Sequence, residues 1–199
     1  MEVENNFEPM EVKENIKTSK VMQEAILGAG CFWCVEAIFQ RLKGVKSVEA
    51  GYSGGHVENP SYNAVCSGNT GHAEVARIEF DEKQLSSEDL LEVFFLTHDP
   101  TTLNRQGNDI GTQYRSVIFY QNEKQRKTAE IVKEKMNESE EFDSPIVTEI
   151  SPLVNYYKAE DYHQNFFNNN PAQPYCAAVV GPKVRKFMDK FADQLKELQ

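Results

Sequence analysis

The chain has 199 residues, of which 40% are hydrophobic and 26% charged, the balance of an ordinary globule large enough to bury a core without staples. Its 21 basic and 31 acidic residues leave a formal charge of −10, so it lacks the basic footprint of a nucleic-acid or anionic-lipid binder, and no apolar run approaches the ~18 residues of a membrane span. Four cysteines, at 31, 34, 66 and 176, are too few for a disulfide scaffold, and the start Met1-Glu-Val-Glu has neither the cationic nor the apolar region of a secretory signal, which makes the cytoplasm the expected compartment.

Residues 1–20 are polar, acid-rich and weakly periodic and read as a flexible N-terminal tail, with residues 21–199 forming a single domain. Glu24 to Gly28 reads as a short strand, and Gly28-Ala-Gly30 supplies the permissive backbone of a tight turn. Val35, Ile38, Phe39 and Leu42 then recur at helical spacing, which predicts an amphipathic helix from about Cys31 to Lys43, stopped at Gly44. A second strand is expected near Ser47 to Tyr52. Residues 53–73 are polar and glycine-rich, the signature of a functional loop, and Val75 to Phe80 alternates as a half-buried strand should. Ser86-Ser-Glu-Asp opens a capped helix running to His98, where Pro100 confirms the stop. A second polar loop, 99–113, leads into a strand at Tyr114 to Tyr120. Beyond it the pattern predicts a surface helix over 123–139, a strand at Ile146 to Ile150, a short helix at about Glu160 to Phe167, and a closing helix marked by Val184, Phe187, Phe191, Leu195 and Leu198.

The chemistry concentrates at Gly30-Cys-Phe-Trp-Cys34. Two thiols three positions apart at a helix start point to redox chemistry, since the unpaired N–H groups and the positive end of the helix favour a thiolate at Cys31, lowering a thiol pKa that starts near ~8.5. Cys34, one turn on, shares its face and can reach it. Two buried cysteines can also be simple core filler. A dinucleotide loop fails at once, because Gly28-Ala-Gly30 needs a glycine where Trp33 stands. The loops offer acidic and hydroxyl groups, Tyr62, Glu74, Asp109 and Tyr114, although in isolation such tyrosines are more often amphipathic rim packing and such acids more often solvated charges or caps.

Gly30-Cys-Phe-Trp33, Gly51-Tyr-Ser-Gly-Gly55, Tyr62 with Cys66-Ser-Gly68, Gly71-His-Ala-Glu74, Gly107-Asn-Asp-Ile-Gly-Thr-Gln-Tyr-Arg-Ser116 and Asp161-Tyr-His-Gln164 together resemble the class A peptide methionine sulfoxide reductases, in family order and over roughly residues 24–190. The resemblance implies an α+β fold, a mixed β-sheet with helices packed on it and a ferredoxin-like α/β sandwich core. It also implies reduction of the S epimer of methionine sulfoxide. Cys31 would attack the sulfoxide sulfur, and Glu74, if its pKa lies well above the ~4.3 of a free glutamate, would supply the proton. Tyr62 and Tyr114 would donate to the oxygen, with Asp109 acting through a water or orienting the tyrosines. Phe32 and Trp33 would receive the S-methyl group, and His163 would border the site. A sulfenic acid at Cys31 condenses with a second thiol. Cys34 is the expected resolving cysteine, with Cys176 as the alternative and Cys66 as a packed structural thiol. The family resemblance implies no bound cofactor, electrons from thioredoxin, oxidised proteins and peptides as substrates, and a monomer.

Two rival readings carry different expectations. A general thiol-disulfide oxidoreductase shares Cys-x-x-Cys at a helix start, but Phe32 and Trp33 would shield Cys31 from a protein disulfide and the acid and tyrosines would have no use. A non-catalytic metal-binding or interaction module would need ligand spacing that one Cys-x-x-Cys and scattered histidines do not provide. His72 beside Glu74 resembles the His-x-Glu of zinc deaminases, yet the only Cys-x-x-Cys precedes it, so no catalytic zinc is expected.

Overall fold

The computed structural model describes residues 22–197; the tail expected at 1–20 lies outside them, as does Leu198. In chain order the elements are β1 (Met22–Ala29), α1 (Phe32–Phe39), β2 (Val45–Ser53), α2 (Tyr62–Cys66), β3 (Ala73–Asp81), α3 (Ser87–Leu96), β4 (Arg105–Gln106), β5 (Asp109–Ile110), β6 (Ser116–Tyr120), α4 (Glu123–Glu138), β7 (Glu149–Pro152), β8 (Tyr156–Lys158), α5 (Phe166–Asn169) and α6 (Gly181–Lys190). Six strands form one sheet in the order β7-β6-β1-β3-β2-β8, and β4 with β5 makes a separate two-stranded ribbon. Among the described residues only β6 and β7 pair in parallel, so the sheet is mixed and the expected α+β class holds.

Side-chain alternation gives the sheet two faces. Ala76, Ile78 and Phe80 of β3 join the main core, where α1 contributes Phe32, Val35, Ile38 and Phe39 and α3 contributes Leu90, Val93 and Phe94. Full burial of one such side chain is worth ~1.5–3 kcal/mol, which is why the helices sit on this face. The other face carries Ile26, Ala73, Val75, Val117 and Phe119 against Leu153 and Tyr156. Glu74 has the parity of Ala76 and Ile78 and therefore points to the α1 side. It lies across from Tyr52 of β2 in the strand register.

Several boundaries differ from the sequence reading. Helix α1 ends at Phe39 rather than Lys43, because the chain turns through Gln40 to Leu42 and Leu42 bridges to Leu195. That same bridge takes Leu195 out of the closing helix, which stops at Lys190 and gives way to a 3-10 turn, Ala192–Gln194. The loop 53–73 holds α2, whose five residues are too few to show periodicity; the Ser61 hydroxyl caps it by accepting from the Ala64 N–H at 3.3 Å. Strand β7 starts at Glu149 because Val147 instead donates its N–H to the Pro100 carbonyl at 2.8 Å. The short helix near 160–167 is split into a 3-10 turn, Asp161–His163, and α5 by Asn165, which sits at φ 55°. Glu36, buried on α1, fixes that break by accepting from the backbone N–H groups of Asn165 at 2.7 Å and Phe166 at 3.3 Å.

Candidate active site

The turn between β1 and α1 sets the position of the first thiol. Gly30 lies at φ +86°, and a Cβ there would fall 2.6 Å from Cγ of Gln106, so only glycine allows this close approach. Cys31 follows as the N-cap of α1, its carbonyl accepting from the N–H groups of Cys34 at 3.0 Å and Val35 at 3.4 Å. It keeps 7% of its surface exposed, whereas Cys34 keeps 3% and Phe32 none. All four cysteines are free thiols.

Helix α1 has no acidic residue in its first turn and no side-chain cap of its own. Glu74 fills that role from β3. Its Oε2 accepts from the Phe32 N–H at 3.0 Å, which brings the carboxyl group to the helix end beside Cys31. Burial, the larger cause, pushes the Glu74 carboxyl up to about 8 even though the Phe32 bond pulls it down. Glu74 is thus a neutral acid at pH 7, the state required of a proton donor.

The expectation that the helix start lowers the Cys31 pKa is overturned. Burial raises the Cys31 thiol well above its ordinary value, and a hydrogen bond to Cys34 and the charge of Glu74 raise it further, outweighing the one favourable contact, from the Trp33 N–H. The helix end serves Glu74 instead, and Cys31 stands just outside the first turn. Cys34 is held below its ordinary value, chiefly because Cys31 donates to it, with Lys183 and the Tyr175 hydroxyl assisting. In the substrate-free state Cys31 is the protonated partner of the pair.

The remaining predicted residues cluster around this pair. Phe32 is a buried floor, with Tyr52, Tyr62 and His163 at ring-centroid separations of 5.8, 6.3 and 5.0 Å. Trp33 is half-buried and stacked on Phe166, 3.9 Å away at 8°. His163 is 1% exposed, and its Nδ1 accepts from Trp33 Nε1 at 3.1 Å, which assigns its proton to Nε2, 3.8 Å from Glu160. Burial lowers the His163 pKa and favours the neutral ring. His163 thereby braces the tryptophan from behind the site. Tyr62 opens α2, its N–H donating to Glu160 Oε1 at 2.8 Å and its hydroxyl hydrogen-bonded to Cys66. Tyr114 ends a 3-10 turn, Thr112–Tyr114, close enough to feel Glu74, Cys66 and Cys31. Burial raises both tyrosines, so both remain protonated donors at neutral pH.

Asp109 approaches from β5, but neither Tyr62 nor Tyr114 bonds it. Its Oδ2 accepts from the Tyr175 hydroxyl at 2.6 Å. Tyr175 packs edge-on against Trp33 with centroids 5.8 Å apart and lies beside both Cys31 and Cys34. It escaped the sequence reading, although its position next to Cys176 was the available signal. Phe166 and Glu160 were missed for a different reason: they act through neighbours distant in sequence and carry no local pattern. Cys176 is fully buried in the π-helical turn Cys176–Val180, near enough to Cys34 to feel its charge. Among the described residues no group of three or more His, Cys, Asp or Glu could hold a metal ion, and no helix is long and apolar enough to cross a membrane.

A thiol pair, a neutral buried carboxyl group and two phenols around an aromatic wall define a thiol-based reductase of a polar, oxygen-bearing group. The peptide methionine sulfoxide reductase family model matches residues 23–195. A peptide methionine sulfoxide reductase MsrA of Acinetobacter baumannii is 54% identical over 176 residues, covering 88% of this chain and 99% of its own. Among solved structures, reduced Mxr1 of Saccharomyces cerevisiae superposes with a TM-score of 0.71 at 34% identity over 78% of this chain and 89% of its own. The yeast Mxr1 complex with Trx2 shares the fold with a TM-score of 0.50 at 23% identity over 73% of this chain and 84% of its own. The chain belongs to the MsrA family of peptide methionine sulfoxide reductases and is an enzyme that reduces methionine sulfoxide.

Proposed function

We propose that this enzyme reduces the S epimer of methionine sulfoxide, in oxidised proteins and peptides and as the free amino acid, with Cys31 as nucleophile and Glu74 as acid. The observation that carries this assignment is the placement of a buried, neutral Glu74 carboxyl group at the α1 terminus that presents Cys31. A sulfoxide sulfur is electrophilic, and its oxygen leaves only when protonated, so thiol and acid must meet at one S–O bond. The S-methyl group would lie on Trp33 above the Phe32 floor, a sulfur–aromatic contact worth ~0.3–1.5 kcal/mol. Tyr62 and Tyr114 would donate to the oxygen, Tyr62 turning from Cys66 to do so. Cys31 gives up its proton as it takes the oxygen, leaving methionine and a sulfenic acid. His163 acts by bracing Trp33, and Asp109 by orienting a tyrosine.

The epimer assignment rests on kinship with MsrA, because one type of reductase serves each sulfoxide epimer. Reduction of the separate epimers of methyl p-tolyl sulfoxide, assayed beside insulin disulfide reduction, tests it. Consumption of the S epimer with insulin left intact is expected; activity on insulin alone would return the protein to the thiol-disulfide oxidoreductases.

Cys34 is the proposed resolving cysteine, one helical turn from Cys31 and hydrogen-bonded to it. The Cys34→Ser variant should form about one methionine per enzyme and then stall with a sulfenic acid it cannot resolve. Sustained cycling of that variant would transfer the role to Cys176. Thioredoxin is the proposed reductant, a reading supported by the yeast relative's complex with Trx2. Residues 21–199 are read as one catalytic domain behind a tail at 1–20, acting in the cytoplasm as a monomer. The β-α-β-β-α-β succession of β1, α1, β2, β3, α3 and β6, in spatial order β6-β1-β3-β2, supports a ferredoxin-like core.

A further inference from the structure

Glu160, a carboxylate set apart from the reacting thiols, is tied to two sides of the site at once. It precedes the 3-10 turn Asp161–His163, which Gln164 fastens to β2 by accepting from the Ala50 N–H at 2.8 Å and donating to the Ala50 carbonyl at 3.0 Å. Glu160 Oε1 accepts from the Tyr62 N–H at 2.8 Å, Oε2 accepts from the Tyr52 hydroxyl at 2.8 Å, and the same Oε2 stands 3.8 Å from His163 Nε2. On its far side the imidazole accepts from Trp33 Nε1 through Nδ1 at 3.1 Å. We propose that Glu160 is a positioning residue for sulfoxide binding: it sets the Trp33 wall through the His163 tautomer and the Tyr62 donor through its backbone, so that the S-methyl group and the oxygen are received in one register.

The histidine is the sensitive link. Its ring is packed between Tyr62 and Tyr162, with centroids 4.4 and 4.1 Å away, and is 1% exposed, so it has no room to swing off either neighbour. What can change is which nitrogen carries the proton. A neutral imidazole holds one: on Nε2 it leaves Nδ1 free to accept from Trp33, whereas on Nδ1 it sets two N–H groups against each other and pushes the indole away. His163 Nε2 has no hydrogen-bond partner among the described residues, so the charge of Glu160 in front of it is what favours a proton there. Glu160 carries that charge at neutral pH. Burial works against it, but the Tyr62 N–H, its own backbone N–H and the Tyr52 hydroxyl together hold the carboxyl below its ordinary range.

This role of Glu160 rests on the reading of Trp33 and Tyr62 as the contacts of the sulfoxide, and the two can fail separately. Trp33 is the one tryptophan of the chain, so the full-length enzyme labelled with heavy nitrogen gives a single indole N–H resonance. Glu160→Gln is isosteric, but its amide has one oxygen and one NH2. With the oxygen kept on the closer Tyr62 N–H, the NH2 opposes His163 Nε2–H, while the Tyr52 hydroxyl can turn to suit either. In that variant the indole signal should move upfield, as loss of its hydrogen bond requires, and exchange with water faster. The concentration of a methionine sulfoxide peptide that half-saturates the first turnover should rise about two- to tenfold, with the saturated rate within about threefold of the unchanged enzyme. His163→Asn offers Trp33 an amide oxygen that has no tautomer, so adding Glu160→Gln in that background should leave the indole signal where His163→Asn alone puts it. Glu160→Ala, which also strands the Tyr62 N–H, should lower the saturated rate about tenfold or more. An indole signal unchanged in Glu160→Gln, the same displacement in the His163→Asn background, or a saturated rate in Glu160→Ala no lower than in Glu160→Gln overturns the proposal. An indole signal that moves as expected while half-saturation does not supports the hold of Glu160 on Trp33 and sinks instead the reading of Trp33 as the wall for the S-methyl group.

Discussion

Replacing Cys31 by Ser is expected to abolish methionine formation down to the first turnover, a loss of ~10³-fold or more, the scale on which removal of a nucleophile is felt. The expectation follows from position. Cys31 is the more exposed residue of the CxxC pair, at 7% against 3% for Cys34, and it adjoins Phe32, whose N–H donates to the Glu74 carboxyl. Cys34 is not expected to substitute, because it lies a turn further along the helix and is more deeply buried. Rapid quench with stoichiometric sulfoxide measures the outcome. A residual burst of one methionine per enzyme in this variant would move the nucleophile elsewhere.

Glu74→Gln should carry the next largest effect. General acids contribute ~10²–10⁴-fold, so the single-turnover rate near pH 7 should fall on that scale. The pH dependence identifies the group. The Glu74 carboxyl, raised to about 8 by burial, holds its proton below that value, so the acid-supported rate is full at neutral pH and declines as pH rises through about 8. Glutamine can still accept the Phe32 N–H but carries no titrating proton, so the variant should lose the descending limb. A neutral-pH rate within twofold of the unchanged enzyme, or a limb that survives, would exclude Glu74 as the acid.

The raised Cys31 thiol fits the same picture. A protonated, buried sulfur is inert until a sulfoxide sulfur, which carries partial positive charge, is brought against it. Resting protonation guards it against adventitious oxidation, since susceptibility follows thiolate character and exposure.

The long elements were legible from the chain because periodicity and caps are local. Val35, Ile38 and Phe39 marked α1, and Ser86 marked the start of α3 with its hydroxyl accepting from Asp89. Elements of two to five residues, such as β4, β5, β8 and α2, carry too little pattern and are set by pairing partners far away in sequence. The same distinction runs through the site. Cys31 and Cys34 announced themselves by spacing, and Tyr62, Glu74, Asp109 and Tyr114 by family motifs. What the chain could not convey was direction: that the helix start is occupied by Glu74, that burial holds the Cys31 thiol up, and that Asp109 answers to Tyr175 rather than to Tyr62 or Tyr114. These are contacts between strands, loops and turns that only the folded sheet brings together.

The most direct test follows the oxygen atom itself. Cys34→Ser enzyme is mixed with methionine sulfoxide bearing a heavy oxygen isotope, quenched within one turnover and analysed by peptide mass spectrometry. The label should be found on the peptide carrying Cys31, in an amount matching the methionine released. Label recovered only in water, or on Cys66 or Cys176, would contradict transfer of the sulfoxide oxygen to the Cys31 sulfur.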